Sequence, residues 1–282
     1  MAFDDTLLLG AVAYDPKVVT IWSGFREYFE GGGLAFDYVL YSNYERQVEA
    51  HLAGHVHLAW NSPLAWLQTE AAAAGMGRRA EAVSMRDTDR DLTSLVIVLA
   101  DSPIATVPGL EGKRIGVGAC DSPQATLIPL NYLAEAGLER GKDFEAVGFE
   151  VGVGMHGDHI GGEREAAQAL REGQVDAACM IDSNFLGFVR EGILPSTARV
   201  LAQTEAYDHC NFTVLDGAPE RLVSRFRELL LGMSYGDPKV RPLLDLEGLK
   251  QWQPGRTEGY RQLAAAIRWF GTVDAFVEGL TS

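Results

Sequence analysis

Apolar and polar positions along the chain fall into short runs of two periods. Thr6 to Ala13 is nearly all apolar and predicts a strand. From Pro16 to Phe29, Val19, Trp22, Phe25 and Phe29 recur at helical spacing. Gly31 to Gly33 breaks that helix, and Leu34 to Tyr41 reads as a second strand. Asn43 is placed to cap a helix running to Leu52, Gly54 closes it, and Val56 to Trp60 is a third strand. Ser62-Pro63 then opens a further helix. Strands alternating with helices in this way predict parallel pairing.

The polar run Met85 to Asp91 interrupts the pattern, and Thr93 to Ala100 is a long β-branched strand. A second series starts at Gly112. It has strands at Lys113–Val117, Glu145–Val153 and Val175–Ile181, and helices at Ser122–Ala136, Glu163–Glu172 and Asp182–Arg190. Arg199 to Ala202 and Asn211 to Leu215 read as strands returning to the first series. Pro219–Met233 and Glu258–Ala275 read as helices. The expectation is an α/β protein of two lobes, with mixed, mostly parallel sheets joined by two hinge segments and a cleft between the lobes. Residues 1–98 and 204–282 form lobe one, and residues 99–203 form lobe two.

The 282 residues suffice for two ordinary domains, and 47% hydrophobic against 22% charged residues is a globular profile. A net charge of −15 makes nucleic acid and anionic membranes poor partners. No apolar stretch is long enough for membrane insertion. The N-terminus lacks the basic and apolar regions of a secretory signal, which predicts a cytoplasmic protein, or a periplasmic or extracellular one if a leader has been removed. Three widely spaced cysteines do not make a disulfide framework.

The stretch Gly112 to Leu130 concentrates the candidate chemistry. Ser122 as cap and Pro123 at the first helical position start a helix at the carboxyl end of a strand. Unpaired amides and the helix dipole would there face an anionic or strongly polar ligand. Cys120 stands just before that start, where the dipole favours a thiolate. His156, Asp158 and His159, with Glu163 one turn on, lie in a glycine-rich loop and offer nitrogen and oxygen donors to a divalent transition metal, the sole cofactor expected. A second cluster, His51, His55 and His57, straddles a helix end and a strand, where structural roles suffice. Cys210 adjoins His209, but neighbouring strand residues point to opposite faces, which argues against a direct pair.

Several stretches resemble the phosphonate/phosphite-type solute-binding proteins of ABC importers, in the type II periplasmic-binding-protein superfamily. These are Tyr44 to Ala50 with Ala53-Gly54, Leu99 to Pro103, Leu110 to Ile115, Leu133 to Gly137, Gly173 to Ala178, and Leu244 to Leu249 with Trp252 and Gly259-Tyr260. The resemblance spans nearly the whole chain. It implies two hinged lobes, a small-molecule ligand, an ABC permease as partner, and cleft-lining positions at Tyr14, Trp60, Asn61, Ser122, Gln124 and Asp182. The chain departs from the family in three places. It shows no export signal, its Ser122-Pro123-Gln124-Ala125-Thr126 turn carries fewer hydroxyls than the family's phosphonate grip, and His57 stands where an acidic residue is usual. The superfamily also includes enzymes, so the alternative expectation is a cytosolic lyase or synthase that uses the metal, or Cys120 with His57.

Overall fold

The computed structural model describes residues 5–156 and 160–281. The chain divides into two compact units. One runs to Arg90 and resumes over Asp208–Gly259; the other comprises Asp91–Tyr207 and the chain from Tyr260 onward. The backbone therefore passes between units three times, not the two expected, and the C-terminal helices group with the second unit.

The first unit is built on a six-stranded sheet. Strands β1 (Leu7–Val12), β2 (Phe36–Tyr41) and β3 (Leu58–Asn61) pair in parallel around β1. Their crossovers are α1 (Lys17–Gly31) and α2 (Tyr44–Leu52), and a crossover helix is what forces neighbours parallel. Asn43 accepts the Arg46 amide at the start of α2, and Ser62 accepts the Ala65 amide at the start of α3 (Pro63–Gly75), as the capping residues predict. The polar stretch after α3 conceals β4 (Ala80–Arg86), a strand the sequence pattern did not show. Val18, not Val19, faces inward from α1 with Trp22, Phe25 and Phe29.

The second unit carries five strands in the order β7, β6, β8, β5, β9. These are β5 (Ser94–Val98), β6 (Arg114–Val117), β7 (Glu145–Gly148), β8 (Ala177–Ile181) and β9 (Arg199–Gln203). Side chains alternate across this sheet. Leu95, Ile97, Ala178 and Met180 join α5 (Gly161–Arg171) and α6 (Asp182–Arg190) in one core. Val96, Val98, Ala177 and Cys179 join Ile115 and Leu133 in the other. A strand buried on both faces reads as a near-continuous apolar run, which is why β5 runs Leu95-Val96-Ile97-Val98 after its head residue Ser94. It lies next to β8 and β9, so this strand belongs wholly to the second sheet and not to a first lobe ending at 98. For the same reason β9 does not return to the first unit.

After β9 the chain re-enters the first unit as β10 (Asn211–Leu215), which lies antiparallel between β3 and β4. Strand β11 (Trp252–Pro254) completes that sheet on the far side of β4. Phe226, on α7 (Glu220–Leu231), packs against Phe29, Phe36 and Phe212 in the aromatic core. The next helix is α8 (Arg241–Glu247). In the second unit, α4 (Ile128–Glu135), α9 (Arg261–Ile267) and α10 (Val273–Thr281) complete the fold. Among the described residues four strand pairings are parallel and five antiparallel. The sheets are thus mixed rather than mostly parallel, because β5, β10 and β11 join their neighbours without a βαβ crossover.

Candidate functional site

Strand β6 ends at Val117, and the chain turns tightly through Gly118 to Ser122. The Ser122 amide donates to the Ala119 carbonyl, and its hydroxyl oxygen accepts the Ala125 amide at 3.2 Å, so Ser122 is the cap the sequence predicted. The segment it caps is not at first an α-helix. Pro123–Leu127 winds as a π-turn, with the Thr126 and Leu127 amides both donating to the Ser122 carbonyl, and α-helix begins only at Ile128. Pro123 has no N–H, and the amides of residues 125 to 127 are spent on Ser122. The expected fan of free donors is therefore reduced largely to the dipole. Isolated π-turns of this kind recur at functional sites.

A buried polar network holds the turn from beneath. The Ser94 hydroxyl, at the head of β5, donates to the Gln124 carbonyl and lies 2.8 Å from the Tyr207 hydroxyl. Burial pushes the Tyr207 phenol well above its ordinary value, so it is protonated. Gln124 Nε2 donates to Glu163 Oε1 at 3.2 Å. Glu163 Oε2 accepts the Ile181 amide and Asn184 Nδ2, each at 2.9 Å. Glu163 is thus turned inward, its carboxylate accepting from Gln124, Ile181 and Asn184. Asp182 accepts the Thr93 hydroxyl at 2.9 Å and the Ser183 amide, while Gln203 Nε2 donates to Thr93. Gly162 packs against the turn so closely that a Cβ there would lie 2.5 Å from the Phe149 carbonyl and 3.1 Å from the Ala119 amide.

Asp121 Oδ2 accepts the Gly154 amide at 2.8 Å and the His156 amide at 3.0 Å, latching the glycine-rich loop to the turn. His156 is fully buried with φ of 52°, so its ring is not displayed on a loop surface as the sequence suggested. Asp158 and His159, the other two expected metal ligands, lie outside the described residues. Cys120 also departs from expectation. Burial, then the Glu150 and Asp121 carboxylates, raise its thiol to about 11, and Glu150 accepts its backbone amide at 3.0 Å. The negative neighbours outweigh the dipole, and the thiolate is disfavoured.

The remaining expected positions lie in the first unit. Tyr14 is half-buried beside Lys17, whose ammonium is 6.0 Å from the ring centroid. Trp60 is packed on Phe212, with centroids 4.7 Å apart, under the Arg86 guanidinium. Asn61 is fully buried; it accepts from Gln47 Nε2 and donates to the Thr213 hydroxyl. His57 extends the β1–β3 ladder: its Nδ1 accepts the Leu8 amide and its own amide donates to the Leu8 carbonyl. Burial lowers the His51 imidazole to about 4, leaving it neutral. Trp269 is 69% exposed and donates to Asn131 Oδ1, so it is not a core residue.

The structure thus joins Gln124 and Glu163 in one network, with Ser122 capping the turn that carries Gln124, while Asp182 is bonded to Thr93, the residue before Ser94. Sequence reasoning missed Ser94, Thr93, Tyr207 and Asp121. The available signal was Thr93-Ser94 itself, two hydroxyls at the head of an otherwise apolar strand. It also missed the cluster around Arg86. There Asp89 takes both Nε and Nη2 of Arg86, Arg86 Nη1 reaches the Glu247 carbonyl, and His209 Nδ1 lies 3.1 Å from Cys210 Sγ. The His–Cys pairing argued against from strand alternation does occur, because residues 209 and 210 precede β10 and are not held in its pleat.

The family model described as "ABC transporter, phosphonate, periplasmic substrate-binding protein" matches residues 11–260. Among solved structures, a Xanthomonas citri protein bound to ATP aligns with TM-score 0.68 at 16% identity, covering 98% of each chain. PhnD1 from Prochlorococcus marinus in complex with methylphosphonate aligns with TM-score 0.66 at 16% identity, covering 94% of this chain and 98% of the other. The periplasmic aliphatic sulphonate binding protein SsuA from Escherichia coli gives TM-score 0.58 at 16% identity, covering 98% and 92%. At these identities the likeness is one of fold, the type II periplasmic-binding-protein fold.

Proposed function

The chain belongs to the periplasmic phosphonate substrate-binding family of ABC transporters, and from that premise we propose that it delivers a small polar or anionic solute of the phosphonate class to an ABC permease. The family is periplasmic, so the proposed place of action is outside the cytoplasm, the second of the two alternatives drawn from the N-terminus. Ser122 and Gln124 of the π-turn, with Asp182 beside them, are the proposed contacts in the second unit. One observation carries this assignment. A connection that served only to join a strand to a helix would need no buried network, yet Ser94, Tyr207, Gln124 and Glu163 are all interior and bonded to one another. Buried polar networks are costly unless fully paired, and one that fixes a turn pre-organises it for a ligand. The Asp121 and Glu163 carboxylates are each held by amide donors, which offsets their charge next to an anion.

The alternative of a cysteine-dependent enzyme finds no support, since Cys120 is protonated and His57 is engaged by backbone groups. The test is a thermal-shift titration with methylphosphonate, inorganic phosphate and methanesulfonate. A ligand at a hundred times its Kd stabilises by about 2.7 kcal/mol. That corresponds to a Tm rise of roughly 5 °C or more. Gln124→Leu should reduce the shift without unfolding the protein. No shift with any of the three, or an equal shift in the variant, would refute the assignment.

A further inference from the structure

We propose that Asp89, His209 and Cys210, in the first unit, bind a divalent transition metal of the zinc class. One imidazole nitrogen, one thiol sulfur and one carboxylate oxygen, all from buried residues, lie within 4.8 Å of one another. Two of the three edges are known: His209 Nδ1 is 3.1 Å from Cys210 Sγ and 3.5 Å from Asp89 Oδ1. Zinc bond lengths of about 2.0 to 2.3 Å at a tetrahedral angle require edges of roughly 3.6 Å for nitrogen to sulfur and roughly 3.3 Å for nitrogen to oxygen. The two edges at His209 Nδ1 therefore lie within about half an ångström of those of a zinc site, and the Cys210 sulfur and Asp89 oxygen are within 4.8 Å of each other. The set mixes a soft thiolate with imidazole and carboxylate, which suits zinc and disfavours magnesium or calcium.

The scaffold around these atoms is already fixed. The His209 amide donates to the Asp89 carbonyl at 2.8 Å, which joins the turn carrying Asp89 to the segment that carries the other two donors. Arg86 grips Asp89 through two nitrogens and reaches Glu247, so it would orient the carboxylate as an outer-shell partner while one oxygen turns to the ion. Binding a divalent ion would displace the Cys210 thiol proton to solvent. Three protein donors leave a fourth position for water or another donor atom.

The experiment uses the whole protein, stripped with chelator and titrated with cobalt(II) alone. We expect a thiolate-to-cobalt charge-transfer band in the near ultraviolet, saturating at one equivalent and bleached by zinc. Cys210→Ser should abolish the band, and His209→Gln should weaken cobalt binding at least tenfold, with circular dichroism confirming that each variant is folded. Absence of the band in the wild-type protein, or its persistence in Cys210→Ser, would overturn the proposal. If Cys210→Ser does not fold, the His209→Gln titration decides alone, and unchanged affinity there is equally fatal.

Discussion

Replacing Glu163 tests whether the network beneath the π-turn is held as described. Its carboxylate accepts from Ile181 N, Asn184 Nδ2 and Gln124 Nε2, and the residue is buried at 1% exposure. In Glu163→Leu all three donors lose their acceptor. Asn184 is half-buried and can turn to water, but the Ile181 amide and the Gln124 carboxamide are interior. Hydrogen bonds to a charged group contribute about 1.5–3 kcal/mol each, so two stranded donors cost roughly 3–6 kcal/mol. Burying leucine returns about 2 kcal/mol, and the net loss is about 1–4 kcal/mol. Glu163→Gln should lose only about 1 kcal/mol, because one carbonyl oxygen can serve the Ile181 and Asn184 donors and Gln124 can flip its carboxamide to accept from the introduced amide N–H. Urea unfolding followed by circular dichroism, with a separate fluorescence probe because two units need not unfold together, gives both midpoints. Equal stability of the leucine variant and the wild type, or a glutamine variant as damaged as the leucine one, would refute the network as drawn.

Titrating groups supply two further expectations. His51 is lowered in the folded protein to about 4 from 6.5, so the unfolded chain binds the extra proton between those values. Its contribution is present above pH 6.5 and is lost as pH falls towards 4, by roughly 3 kcal/mol over the window. The drop in urea midpoint between pH 7 and pH 4.5 should be smaller in His51→Phe than in the wild type, and an undiminished drop would remove His51 as the cause. Cys120, raised to about 11, should react with iodoacetamide at pH 7.5 at least about a hundredfold more slowly than a free thiol, measured in a Cys179→Ala, Cys210→Ala background. A rate near that of glutathione would contradict the carboxylate environment assigned to it.

Much of the architecture could be read from local signals. Asn43 and Ser62 announce their helices because a cap is a contact over three residues. Helix α6 and strand β10 fall where the periodicity places them. Strand β4 escaped because its polar residues meet partners far away in sequence, Ser84 donating to the Gln253 carbonyl and Arg86 to the Glu247 carbonyl. Assigning Ser94–Val98 to a sheet needed β8 and β9, some eighty and more than a hundred residues on. At the site, Ser122 was legible as a cap. The π-turn was not, because the same residues would fit an α-helix and only the choice of Ser122 carbonyl as acceptor separates the two. The inversion at Cys120 had the same origin: a dipole can be inferred from a helix start, whereas Glu150 arrives from another strand's end.

Strand β10 sits between β3 and β4 but is separated from them in the chain by the bulk of the second unit. During synthesis the ribosome therefore releases both flanking strands long before the one that bridges them. Each waits with a row of unsatisfied main-chain groups, the kind of edge that recruits other chains. Closure over so many intervening residues is slow, since the loop must be ordered before the ladder rewards it. Until Asn211–Leu215 emerges those two edges stay open, and the nascent first unit is most exposed to mispairing in that interval.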